Sequence, residues 1–269
     1  MPLLTELILA LRRHWPYYLA EAVGLGVFML SSSLLTLALE HPASGLHQAL
    51  VAQGAGEMLR RVPLGVGMGL VIVGLAYHPW GKRSGAHINP AVTLAFWQLG
   101  KMRRADVFWY ILAQAGGGLA AALLLKAGLG TYLGHPRINF TVTQPGPDGA
   151  ALAFAAEFGI SFVLMLVLLL TLHSARLKKA SGWFIGALIT GYIIWETPYS
   201  GMSLNPARSL ASAVAARNFA DLWLYLVAPP TAMGLATALF QRLHPVRAAD
   251  PGRAGESAGE SPHYPNPAP

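Results

Sequence analysis

Long apolar runs broken by short polar or basic stretches organise this chain. The first runs from Tyr17 to Leu39, long enough to cross a hydrocarbon layer of about 30 Å. A loop from Glu40 to Gly56 and a polar lead-in (Glu57, Arg60, Arg61) precede a glycine-rich second run, Val62–Tyr77. A third run occupies Ala105–Leu129, and a Gly/Pro-containing loop, Gly130–Gly149, follows it. The fourth run starts at Ala151, the fifth covers Gly182–Trp195 and the sixth Leu222–Leu243. None alternates with the period of a strand, and their lengths predict six spanning helices.

Two further apolar runs are too short to span. Each follows the tripeptide Asn-Pro-Ala, at Asn89-Pro90-Ala91 and at Asn205-Pro206-Ala207. Asparagine is a favoured N-cap, and proline is tolerated at the first helical position because its missing N–H would be unpaired anyway. A helix of about ten residues rises roughly 15 Å, half a hydrocarbon core. Each half of the chain therefore reads as a span with a glutamate (Glu21, Glu157), a second span, a short helix opened by Asn-Pro, and a third span. Three spans per half make the second half enter from the opposite face, which predicts an inverted repeat: about 16–129 and 151–244 of a unit covering 16–244. Residues 1–15 read as an amphipathic segment without a removable signal peptide, and 245–269, rich in Pro, Gly, Ala and Ser, as a disordered tail.

Composition sharpens the membrane reading. Only 12% of the residues are charged and 54% are hydrophobic. An average soluble domain carries about 25% charged residues. The net charge of +7 lies between the apolar runs, so it orients the chain and gives no sign of a nucleic-acid partner. Arg12, Arg13, Lys82, Arg83, Lys101, Arg103, Arg104, Arg176, Lys178 and Lys179 fall on one face. Arg60, Arg61, Lys126 and Arg137 fall on the other, so both termini are expected in the cytoplasm of a cell (plasma or inner) membrane. Cysteine is absent, which removes disulfides and thiolate chemistry.

Two half-helices entering from opposite faces meet N-terminus to N-terminus at the midplane. Each end carries about half a positive charge, so together they oppose a cation. Each asparagine oxygen can cap its own helix, leaving its NH2 to point into the lumen as a donor for a neutral solute. Arg208, directly after the second tripeptide, lies at membrane depth, where arginine is expensive and functional by default. Glu21 and Glu157 are expected to accept hydrogen bonds from the loops before the half-helices. A proton relay is the alternative, but no intramembrane Lys/His chain accompanies them. His87 is expected to brace its loop, since no clustered second ligand suggests a metal. Nothing points to a cofactor or to an enzyme.

The stretches Ser84–Thr93 and Gly201–Ser209 resemble the two signature loops of the aquaporin or major intrinsic protein family. Ala20-Glu21, Ala156-Glu157, Gln114 with Gly116 to Gly118, and Pro229 resemble further family features, over about residues 15–243. The resemblance implies an all-α membrane fold of six spans and two re-entrant half-helices, one pore per protomer, and a homotetramer in the bilayer. It implies a four-residue constriction formed by Arg208, Met202, Ile193 and a residue of the second span. Ungapped counting gives Gly69 for the fourth position; a connection one residue longer than usual gives Met68.

Strict water channels resemble one another in an aromatic in the second span and a histidine where Ile193 stands. Ile193 and Met202 therefore point to the solute-permeable branches, though without the usual glycerol-type aromatics. Glu196 has no assignable counterpart and could pair with Arg208 or with loop backbone. The expected function is a passive channel for water and small neutral solutes such as glycerol, closed to ions and protons. The alternatives are a non-conducting structural or junction protein on the same fold, and a proton-coupled transporter.

Overall fold

The computed structural model describes residues 3–244, all-helical apart from loops. The helices are α1 (Leu3–Glu40), α2 (Gly45–Ala52), α3 (Glu57–Tyr77), α4 (Pro79–Ser84), α5 (Pro90–Gln98), α6 (Arg104–Leu133), α7 (Ala150–His173), α8 (Ser181–Trp195), α9 (Thr197–Ser200), α10 (Pro206–Ala216) and α11 (Leu222–Leu243). Short 3₁₀ turns occupy Asn139–Thr141 and Lys178–Ala180.

Helices α1, α3, α6, α7 and α11 are long and apolar enough to cross a membrane. The fifth span of the sequence, α8, has 15 residues, about 22 Å of rise. Leu70, Leu112, Leu124, Val163, Val227 and Leu235 lie exposed on these helices. Such a surface suits lipid and would be an aggregation hazard in water.

The packing repeats between halves. α1 lies on α6 as α7 lies on α11, and α3 packs on its counterpart α8. The half-helices are exchanged: α5, from the first half, packs on α11, and α10, from the second, packs on α6. Each half therefore completes the other, and two of the buried apolar clusters draw on both halves.

The structure corrects two expectations of local structure. Residues 3–15 are not a separate segment: α1 runs unbroken to Glu40, with Pro16 inside it. Its N-terminal extension is tied to α6 by Trp109 Nε1 donating to Leu7 O (3.0 Å) and by Asp106, which pairs with His14 and accepts from the Tyr18 hydroxyl. Likewise, the polar lead-in Glu57–Arg61 is already the first turn of α3. The expected tail, 245–269, lies outside the described residues.

Lys126, on α6, donates to the carbonyl of Ala215 at the C-terminal end of α10 (2.6 Å) and lies over the Phe140 ring. A cation there satisfies a terminal carbonyl and complements the negative end of the helix dipole. Lys126→Met is expected to destabilise the fold by about 1–2 kcal/mol. Thermal unfolding of the purified protein in detergent measures this, and an unchanged midpoint would remove Lys126 from the account.

Candidate pore

The two loops before α5 and α10 share one conformation. Gly85 and Gly201 take left-handed φ (89° and 77°), followed at alternate positions by Ala86 and Ile88 (48°, 42°) and by Met202 and Leu204 (49°, 60°). Left-handed backbone at non-glycine residues costs of order 1–3 kcal/mol each and persists only where the surroundings over-determine it. Here the buried glutamates do so. Glu21 accepts from His87 N (3.0 Å), Ile88 N (2.5 Å) and Gln114 Nε2 (2.7 Å). Glu157 accepts from the Ser200 hydroxyl (2.9 Å), Ser203 N (3.1 Å) and Leu204 N. Both are fully buried.

Asn89 and Asn205 hold extended backbone and cap their helices: Asn89 Oδ1 accepts from Ala91 N (2.8 Å), and Asn205 Oδ1 from Ala207 N (3.1 Å) and Arg208 N (3.3 Å). Pro90 and Pro206 are the first helical residues, with Ala91 and Ala207 buried behind them. The amide groups depart from expectation. Asn89 Nδ2 donates to Leu204 O, and Asn205 Nδ2 to Ile88 O, both at 2.7 Å. The expectation that each NH2 is left entirely for the lumen is therefore corrected. One N–H of each ties its loop to the other, and one remains to face the cavity that both asparagines line.

Two cavities adjoin the loops before α5 and α10. The one on the Arg208 side, about 460 Å³, is walled by Met68, Ile193, Met202 and Arg208 among others. The other, about 200 Å³, is walled by Asn89, Asn205, His87, Phe96, Leu164 and Ile189. Phe28 borders both and so stands at the neck between them.

Of the residues expected from the resemblance, Met68, Ile193, Met202 and Arg208 line this one cavity, and Gly69 is not among its walls. A Cβ on Gly69 would come within 2.6 Å of Gly186 O, so this glycine is the close-approach point of α3 and α8 and faces away from the cavity. Met68 is 1% exposed.

His87 donates its backbone N–H to Glu21, while its ring Nδ1 lies 3.2 Å from Thr93 Oγ1 and its ring stacks on Phe96. Glu196 is buried, and neither of its carboxylate oxygens has a partner. The pairing with Arg208 that the sequence left open is absent among the described residues, and Arg208 Nη1 is itself unpartnered.

Three further pairs escaped the sequence reading. Ser84 and Ser200 each precede the motif asparagine by five positions, and their carbonyls accept from the Tyr110 (2.7 Å) and Tyr225 (2.5 Å) hydroxyls. Thr93 and Ser209 each follow it by four; Thr93 Oγ1 bonds Asn89 O, and Ser209 Oγ bonds Thr143 and Ser203. Comparing the halves at equal distances from each asparagine would have found the serine and hydroxyl pairs.

The family model described as major intrinsic protein matches residues 10–240. The chain is 38% identical over 151 residues to aquaporin NIP3-1 of Oryza sativa subsp. japonica, covering 55% of this chain and 47% of that protein. It therefore spans about half the length of that relative. It is 32% identical over 217 residues to probable aquaporin NIP7-1 of Arabidopsis thaliana, covering 80% and 72% of the two chains. The solved structure of the aquaglyceroporin from Plasmodium falciparum superposes with a TM-score of 0.70 at 21% identity, over 85% of this chain and 96% of that one, and shares the fold. The chain belongs to the major intrinsic protein family.

Proposed function

We propose that the protein is a passive membrane channel for water and small neutral solutes, closed to ions and protons. The crossed Asn89 and Asn205 amides carry this reading. They fix two helix N-termini against one another beside the cavity that both asparagines line. Two positive dipole ends at that depth raise the energy of a cation, while the remaining amide N–H groups serve a neutral oxygen.

Arg208, Ile193, Met202 and Met68 form the selectivity constriction. Ile193 and Met202 supply no side-chain hydrogen-bond donor there, so the neck discriminates by width and by the Arg208 guanidinium alone. The relatives named aquaporins support water as a permeant, and the apolar constriction supports a small organic solute beside it. The working unit is residues 16–244 with α1 extended before it, assembled as a homotetramer in the cell membrane with both termini cytoplasmic.

Stopped-flow light scattering of proteoliposomes in water and glycerol gradients tests this. Relaxation no faster than in protein-free vesicles in either gradient would leave the non-conducting reading. Saturable flux driven by a pH gradient would favour a coupled transporter. Ile193→His is expected to narrow the neck and lower the solute-to-water permeability ratio by about tenfold, the discrimination available to one or two kcal/mol of pocket contacts. An unchanged ratio would remove Ile193 from the constriction.

A further inference from the structure

We propose that the cavity mouth on the Arg208 side is a binding site for a small oxyanion, held by Arg137 and Arg208. The inference rests on the reading of this cavity as a pore mouth only for its effect on flux, not for binding itself.

Four arginines (Arg60, Arg61, Arg137, Arg208) and two glutamates (Glu40, Glu57) line the cavity, an excess of two positive charges (4 − 2). Both glutamates are engaged. Glu40 accepts from Arg60 Nε (3.1 Å) and Nη2 (2.9 Å), and Arg60 Nη1 donates to Ala55 O (2.8 Å). Glu57 accepts from Arg61 Nη2 (3.2 Å).

The other two guanidiniums have no bonded carboxylate among the described residues. Arg137 Nη1 lies 3.4 Å from Nε2 of His47. His47, 6% exposed, places its Nδ1 2.8 Å from Leu39 O. A carbonyl only accepts, so Nδ1 carries the hydrogen and Nε2 offers Arg137 a neutral lone pair. Arg137 is thus positioned by a partner that leaves its charge uncompensated. Arg208 is 8% exposed, and its Nη1 has no partner at all. Glu157 acts on Arg208 from across the loop, but its oxygens are taken by Ser200, Ser203 and Leu204.

Each of the two guanidiniums lining this cavity is a planar fork of N–H donors that matches a pair of acceptor oxygens on a carboxylate, phosphate or sulfate group. The ion is not passed on. Apart from Arg208, which holds the ion, the side chains of Phe28, Ile193 and Met202 offer no hydrogen bonds to replace its hydration, which bars its onward passage. An oxyanion therefore binds at the mouth and obstructs neutral flux.

Inorganic phosphate is the probe. Calorimetric titration of the full-length protein in detergent is expected to show saturable binding, weakened about tenfold in Arg137→Gln by the loss of one charge-assisted pair and largely kept in Arg137→Lys. Arg137 is exposed, so these substitutions leave the core intact. In proteoliposomes, phosphate on both sides is expected to lower water permeability relative to chloride at equal ionic strength, with the loss abolished in Arg137→Gln. No saturable binding, or binding equal in wild type and Arg137→Gln, would overturn the site. Binding in vesicles that conduct no water would keep the site and refute the channel reading instead.

Discussion

Glu157→Ala is expected to abolish channel activity and to lower the stability of the fold by at least about 3 kcal/mol. Three donors converge on this carboxylate: the Ser200 hydroxyl and the N–H groups of Ser203 and Leu204. All three residues are buried. Removing a buried acceptor leaves each donor unsatisfied, at about 1–3 kcal/mol apiece. The substitution also frees Met202 and Leu204 from left-handed φ, so the loop relaxes and Met202 leaves the constriction. Glu157→Gln keeps the shape and one accepting oxygen but turns the other into a donor facing donors. It is expected to fall between wild type and alanine in both melting temperature and flux. Wild-type stability of Glu157→Ala in detergent would show that the loop holds its strained backbone without this brace.

The second large effect concerns the crossed asparagines. Asn89→Ala and Asn205→Ala are each expected to destabilise by about 2 kcal/mol: about 1 for the lost helix cap and about 1 for the crossed bond. The two sites act at one junction. Asn205 holds the loop that supplies Leu204 O to Asn89, and Asn89 holds the loop that supplies Ile88 O in return. The double variant is therefore expected to be non-additive, with a coupling of about 0.5–3 kcal/mol. Thermal unfolding of the four proteins measures it, and strict additivity would separate the two half-helices energetically.

The parts of this structure legible in the sequence are those with local causes. Span lengths follow from the bilayer, and each short helix announces itself by an Asn cap and a Pro at the first helical position. The matching positions of Glu21 and Glu157 made bracing legible without coordinates. What escaped depends on partners far apart in sequence. Asn89 and Leu204 are 115 positions apart, and no local pattern says that an asparagine amide crosses to the other loop. Met68 and Gly69 differ by one residue of spacing, and no local pattern says that Gly69 packs against Gly186 of α8. The break expected near residue 15 failed because Pro16 is accommodated within α1, whose early turns are held by Trp109 and Asp106 of α6.

Opposed helix N-termini are expected to pass neutral molecules and refuse protons. Water permeability and the collapse of an imposed pH gradient, followed in the same proteoliposomes, measure both. The expected result is osmotic relaxation faster than in protein-free vesicles, with the pH gradient decaying no faster than without protein. A pH gradient that collapses in step with water flow, or water flow no faster than the bare bilayer allows, would contradict it.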